Sequence, residues 1–266
     1  MKKIYKDYSL NENKIRKFFD SRYPGRDFYF FKETTSTFDE ASLLPVRDKT
    51  VICAAKQTNG RGRLGRSWQS DEGGIYFSLI LMPDMPTDKL QIITSLCAVA
   101  IQRAISKYIP CLIKWPNDII SKDGKKLCGI LTKNHILNGK VTVNAGIGIN
   151  ANTGCFDKEL VYASSIYSIT KEFTDENELF CSCLEELEYC TDMKNSSRVM
   201  NEYREKSATL GKRVRLLYAS DERSETGVCT GIEDDGSLTV KKDDGSIINV
   251  TSGEVSVRGI YGEQYA

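Results

Sequence analysis

The sequence predicts an α+β fold in two parts: a domain of strands with packed helices over residues 1–210, and a small all-β domain over residues 211–266. Strand-like apolar runs alternate with stretches of helical period through the first part. After Gly211 the texture changes to short β-prone runs, separated by Asp-Gly pairs at 235–236 and 244–245. That spacing marks a small barrel of roughly 50 residues. A composition of 40% hydrophobic and 27% charged residues is that of an ordinary globular chain with enough apolar surface for a core.

Residues 11–17 are polar and helix-like, and Phe28-Tyr29-Phe30-Phe31 reads as a strand. Thr34-Thr35-Ser36-Thr37 precedes Asp39-Glu40, and hydroxyls followed by acids announce a helix start. Residues 51–55 and 75–82 read as strands flanking a Gly/Arg loop at 60–66. Thr87 is expected to cap a helix over 87–108, with Leu90, Ile93, Cys97, Ala100, Ala104 and Tyr108 on one face and Pro110 closing it. Strands are expected at 112–114, 127–135 and 141–149, with Asn138-Gly139 as a hairpin turn between the last two. Helices follow at 175–192 and 197–206, and the domain boundary falls at 207–212. Strands are then expected at 213–218, 227–232, 238–241, 247–250 and 255–257.

The charge balance, 37 Lys+Arg against 36 Asp+Glu, excludes an overall polycation that holds nucleic acid by charge alone. The apolar run at 75–82 is far short of the roughly 18 residues of a membrane helix, and the first residues carry no apolar signal core. A cytoplasmic protein without membrane partners is expected. Nine cysteines, an odd count with no C-x-x-C pair, fit reduced thiols. Cys181, Cys183 and Cys190 with His135 would make a zinc set. However, Phe180, Cys183, Leu184, Leu187 and Cys190 recur at helical spacing, so a core stripe is the better reading.

The sharpest segment is Gln57-Thr58-Asn59-Gly60-Arg61-Gly62-Arg63-Leu64-Gly65-Arg66-Ser67-Trp68. It contains G-x-G-x-x-G, but Gly73-Gly74 and a β-like run follow instead of the helix a dinucleotide loop must open. Glycines interleaved with arginines describe instead a flexible loop whose guanidinium forks close over phosphate or carboxylate oxygens. Lys114-Trp115-Pro116-Asn117-Asp118 places Asn117 and Asp118 on a strand-end turn. Lys126 enters the next strand. Gly129, and Gly146-Ile147-Gly148-Ile149-Asn150, allow a ligand or another backbone to approach closely. Taken singly, such glycines more often mark bulges.

Together and in this order, the segments resemble the biotin protein ligase family over about residues 30–260. The resemblance runs through Ser36-Thr37, Gln57, G-R-G-R-x-G-R-x-W at 60–68, K-W-P-N-D at 114–118, K-L-x-G-I-L at 126–131, G-I-G-I-N at 146–150, and Gly253-Glu254-Val255-Ser256-Val257. It implies a mixed sheet backed by helices, the class II synthetase-like biotin–lipoate ligase fold, with an SH3-like C-terminal barrel. It also implies an ATP-dependent enzyme of the monofunctional type that makes biotinyl-5'-AMP and passes biotin to a lysine of a biotin carboxyl carrier protein. Lys126, Arg63 and Asp118 are the implied catalytic residues. Ser36, Thr37, Gln57, Gly60, Arg61, Arg63, Arg66, Trp68, Lys114, Asn117, Lys126, Gly129, Gly146, Gly148, Ile149 and Asn150 are the implied biotin and adenylate contacts. Mg²⁺ is expected with ATP, and Asp118 is its candidate ligand.

Phe38 stands where members often have Asn, and Lys133 where a carboxylate is common, so the pocket rim is expected to differ. Fewer than 30 residues precede the first predicted strand. No winged-helix domain and no DNA-binding role are therefore expected, and a homodimer is left open. The alternatives are a lipoate or other acyl-adenylating ligase and, in another class, a non-catalytic binding module. The chemistry itself is legible. A carboxylate attacking a phosphoanhydride is already ionised at neutral pH, so the site needs cation density rather than a general base.

Overall fold

Helix α1 (Glu12–Arg22) begins where the Asn11 side chain accepts the Lys14 N–H at 3.1 Å, and it buries Ile15 and Phe19. In this computed structural model residues 7–137, 140–218, 224–251 and 255–258 are described. The first sheet comprises β1 (Phe28–Phe31), β2 (Val51–Ala54), β3 (Gly74–Leu81), β4 (Cys111–Lys114), β5 (Asp118–Ser121), β6 (Lys126–Leu137) and β7 (Lys140–Asn150). Its strand order is β1-β2-β3-β7-β6-β5-β4. Only β1 and β2 run parallel, so the sheet is mixed. Every residue of β3 is buried, as befits a strand covered on both faces.

Between β1 and β2 lies the single-turn helix α2 (Thr37–Glu40), capped as expected by the Ser36 hydroxyl, which accepts the Phe38 N–H at 3.3 Å. Helix α3 (Ile92–Ser106) departs from the expected one-faced pattern: 13 of its 15 residues are buried. It is enclosed because β4 and β6 lie on one side while α5 (Glu176–Cys190) and α6 (Ser196–Glu205) cover the other. It also begins later than expected. Thr87 opens a 3-10 turn, Thr87–Lys89, with no side-chain cap, and its carbonyl takes the Leu90 N–H instead.

Helix α4 (Ile166–Thr170) and strand β5, each under six residues, were too short to give a periodic signal. Helix α5 starts at Asp175, whose carboxylate accepts the Asn177 and Glu178 N–H groups. Its buried stripe includes Phe180, Cys183, Leu184, Leu187 and Cys190, and the Phe180 ring meets Phe77 edge-on at 5.1 Å. Each such large apolar side chain contributes about 1.5–3 kcal/mol by burial. Burial also pushes the Cys190 thiol up to about 12. These cysteines therefore act as small hydrophobes, and among the described residues no three metal-ligating side chains gather.

The second sheet comprises β8 (Arg213–Tyr218), β9 (Ser224–Ile232), β10 (Leu238–Lys242), β11 (Ile247–Val250) and β12 (Val255–Arg258). It is antiparallel throughout, in the order β11-β10-β9-β8-β12. The two Asp-Gly turns are real: Gly236 and Gly245 adopt φ of +88° and +86°, where a side chain would be strained. The Asn138-Gly139 turn and Gly253-Glu254 lie outside the described residues. Among the described residues no helix is long and apolar enough to cross a membrane.

Candidate active site

Strands β4 and β5 are joined by only Trp115-Pro116-Asn117, and Asp118 opens β5 opposite Lys114. Asp118 is therefore held in the ladder rather than on the turn. Asn117 is buried and fully engaged. Its Nδ2 donates to the Ile130 carbonyl at 2.6 Å, its own carbonyl accepts the Ile130 N–H at 3.0 Å, and its Oδ1 accepts Arg63 Nη1 at 3.1 Å. Beside it the Lys126 ammonium lies 2.8 Å from Asp118 Oδ1, with the two side chains 28% and 13% exposed. The Lys126 backbone is fixed by Tyr162 and Asn150: its N–H donates to the Tyr162 carbonyl at 2.7 Å, and its carbonyl accepts Asn150 Nδ2 at 3.3 Å.

Gly129 and Gly148 face each other across β6 and β7. What approaches them closely is a side chain of this protein. A methyl group added to Gly148 would come within 2.4 Å of Trp68 Nε1, and one on Gly129 within 2.8 Å of the same indole. Gly146 likewise makes room for the Phe38 ring, which a methyl would meet at 2.9 Å. The sequence reading of these glycines is corrected to that extent: they seat aromatic side chains that form one wall of the site. The indole also carries Lys126 Nζ over its face at 5.1 Å, and its N–H is buried with no acceptor among the described residues. Ile149 departs from its expected place as well. Strand alternation turns it into the core, opposite in direction to Gly148 and Asn150.

The far end of the groove is braced by hydroxyls and an amide. Thr37 donates through its backbone N–H at 2.8 Å and its hydroxyl at 3.1 Å to Gln57 Oε1, whose Nε2 donates to Ser70 at 2.9 Å. Above the groove the Arg-Gly loop folds on itself. The Gly62 N–H reaches the Arg66 carbonyl at 2.7 Å, Arg63–Gly65 form a 3-10 turn, and Arg61 Nε pairs with Asp39 at 2.9 Å. Gly60 admits no side chain, because a methyl there would lie 2.4 Å from Ser70 Oγ and 2.5 Å from the Trp68 carbonyl. Arg66 is exposed, whereas Arg63 turns inward. Burial pulls the Arg63 guanidinium below its ordinary value, Asp118 opposes that shift, and Arg66 adds to it.

Ser36, Thr37, Gln57, Arg61, Arg63, Arg66, Trp68, Lys114, Asn117, Asp118, Lys126, Gly129, Gly146, Gly148 and Asn150 thus border one cavity of about 350 Å³. That is the size of a small-molecule site. Gly60 borders a neighbouring cavity on the other side of the loop, with Lys133. Sequence reasoning missed the opposite wall, formed by Phe156, Glu159, Leu160, Val161, Tyr162 and Ala163. The apolar cluster Leu160-Val161-Tyr162 in a stretch without period was the available signal.

Two sheets in sequence, the first carrying a groove walled by the Trp68 and Phe38 rings under an arginine loop, define a class, and comparisons with known proteins bear on it. Residues 28–152 match the Biotin/lipoate A/B protein ligase family, and residues 209–258 match the Biotin protein ligase C terminal domain. The bifunctional ligase/repressor BirA of Bacillus spizizenii is 33% identical over 257 residues, covering 91% of this chain and 78% of that protein. The biotin--[acetyl-CoA-carboxylase] ligase of Mycobacterium tuberculosis is 27% identical over 217 residues, 78% of this chain and 79% of its own. The biotin protein ligase from Aquifex aeolicus, solved in complex with biotin and ATP, superposes with a TM-score of 0.75 at 31% identity, covering 87% of this chain and 98% of that one. The chain belongs to the biotin protein ligase family.

Proposed function

We propose that this protein is an ATP-dependent ligase that activates biotin as biotinyl-5'-AMP and transfers it to a lysine of a biotin carboxyl carrier protein. The observation that carries this reading is the meeting of Lys126, Asp118 and the inward-turned Arg63 at the mouth of one cavity. An apolar ring system enters the groove beside the Trp68 and Phe38 rings. Its carboxylate then faces Lys126 and attacks the α-phosphorus of ATP, with diphosphate leaving. Lys126, Arg63 and the outer arginines stabilise the growing negative charge. In the second step a carrier lysine amine attacks the acyl carbonyl and AMP departs. In this reading the groups that touch substrate lie in a catalytic domain of residues 1–210, and residues 211–266 form the C-terminal domain.

Magnesium would enter on the nucleotide. The donor set here offers it few carboxylates, Asp118, already 2.8 Å from an ammonium, and Glu159 on the opposite wall, which suits an ion bound mainly by phosphate oxygens. When bound, it neutralises charge on the phosphates.

Asp118 is assigned either to that ion or to taking the proton from the attacking lysine amine, and single-turnover experiments with preformed adenylate separate these roles. Asp118→Asn that transfers normally but fails to make adenylate identifies the metal role, and the reverse identifies the base. A variant normal in both steps removes Asp118 from the chemistry.

The 59–67 loop should be further protected by its ligands, because fixing its glycines is entropically costly and the mutual repulsion of Arg63 and Arg66 is relieved when an anion arrives. Tryptic cleavage after Arg61, Arg63 or Arg66 is expected to slow severalfold when biotin and ATP are added together. Equal cutting rates would show that the loop does not close.

The functional assignment is tested by exchange of labelled pyrophosphate into ATP in the presence of biotin, lipoate or octanoate. Exchange driven by biotin alone is expected. Preference for lipoate or octanoate indicates another acyl-adenylating ligase, and no exchange with any acid indicates a binding module.

A further inference from the structure

We infer that the C-terminal sheet is a working part of the adenylate site, and that Trp115 is the positioning residue through which it acts. The inference rests on the ligase reading above. Trp115 is 1% exposed and the first residue of the turn that carries Asn117. Three separate elements grip that turn. The Trp115 indole N–H donates to the Gly236 carbonyl at 2.9 Å, in the turn between β9 and β10. Its backbone N–H donates to Thr209 Oγ1 at 3.0 Å, in the segment that joins the two sheets. From α6, the Tyr203 hydroxyl donates to the Pro116 carbonyl at 3.2 Å.

The turn that holds the indole is itself anchored to the first domain. Asp235 accepts Gln91 Nε2 at 2.7 Å, Arg204 Nε donates to the Ile232 carbonyl at 2.7 Å, and Gly236 packs so closely on α3 that a methyl there would come within 2.7 Å of Ser95 Oγ. A buried tryptophan serving only as filler would need its N–H satisfied somewhere, and a carbonyl of the adjoining sheet strands would suffice. Here the partner belongs to the other sheet. Two residues further on, Asn117 holds Arg63 at 3.1 Å and Ile130 through two bonds. A three-residue turn has little slack, so a shift of Trp115 is passed to Asn117 and weakens its hold on Arg63. The C-terminal turn thereby sets how firmly the arginine loop is fastened over the intermediate.

Trp115→Phe keeps the ring packing and deletes the indole N–H. Release of biotinyl adenylate from this variant is expected to be about tenfold faster than from the wild type, the worth of one buried hydrogen bond, with biotin affinity within about twofold. Because the effect passes through Arg63, Trp115→Phe combined with Arg63→Gly should release adenylate no faster than Arg63→Gly alone. Gly236→Ala provides an independent variant on the other side of the contact, and should leak in the same way. Release at the wild-type rate in both Trp115→Phe and Gly236→Ala overturns the inference, and so does additivity with Arg63→Gly. A wild-type protein without biotin-driven exchange would instead remove the ligase reading on which the inference rests.

Discussion

Lys126→Ala is expected to lower adenylate formation about a hundredfold or more. In the first step two anions are brought together and charge grows on the phosphorus oxygens, so a fixed ammonium contributes most in the transition state. One such contact is typically worth about 3 kcal/mol, which is about two powers of ten in rate. The structure explains why this lysine is suited to the task. Its backbone is held by Tyr162 and Asn150, its ammonium lies over the Trp68 ring and against Asp118, and the pair is largely shielded from water. The cation is therefore in place before substrates arrive and needs little reorganisation. Asp118 would be left half of an ion pair in the mutant, so thermal unfolding must accompany the pyrophosphate-exchange assay. A folded Lys126→Ala protein within a few-fold of wild-type turnover would refute the assignment.

The strands and long helices were legible because their apolar residues form short continuous runs or recur at a period near four over enough positions to be read. Periods say nothing about what lies on the far side of a strand. Gly129, Gly146 and Gly148 signalled a close approach, but only the packed structure names the Trp68 and Phe38 rings as the groups that approach. Thr87 offered a cap that the backbone declined, because a 3-10 turn closes the same donors first. The 156–163 wall was signalled only by the unperiodic apolar cluster Leu160-Val161-Tyr162, for a different reason. It is a loop positioned by backbone contact, the Lys126 N–H to the Tyr162 carbonyl at 2.7 Å and the Ser164 N–H to the Lys126 carbonyl at 3.1 Å, and any residue could supply those groups. The contact between Trp115 and Gly236 spans 121 positions and likewise leaves no local pattern. The motifs K-W-P-N-D and K-L-x-G-I-L, by contrast, concentrate in a few consecutive residues both the turn geometry and the charges that the site uses.

Arg63→Gly is expected to act in a different manner from Lys126→Ala, by losing the intermediate rather than failing to make it. Arg63 turns inward from the loop and donates to Asn117, so its guanidinium fastens the loop across the mouth of the cavity. Burial already disfavours the charged guanidinium there, and Asp118 opposes that effect. A phosphate oxygen arriving beside it would do the same, so the closed loop and the bound adenylate stabilise each other. Each charge-assisted hydrogen bond lost costs about 1.5–3 kcal/mol, or about ten- to a hundredfold in residence time. Glycine at this position also adds backbone freedom to a loop that must be ordered. Synthesis should continue at a reduced rate, because Lys126 and the outer arginines remain. Reactive biotinyl adenylate would then leave the site and acylate lysines on whatever protein it meets. Streptavidin blotting of the variant mixed with ATP, biotin, a biotin carboxyl carrier protein and excess bovine albumin reads this directly. Biotin confined to a carrier protein, with the albumin unlabelled, would show that Arg63 does not retain the intermediate and is only a loop charge.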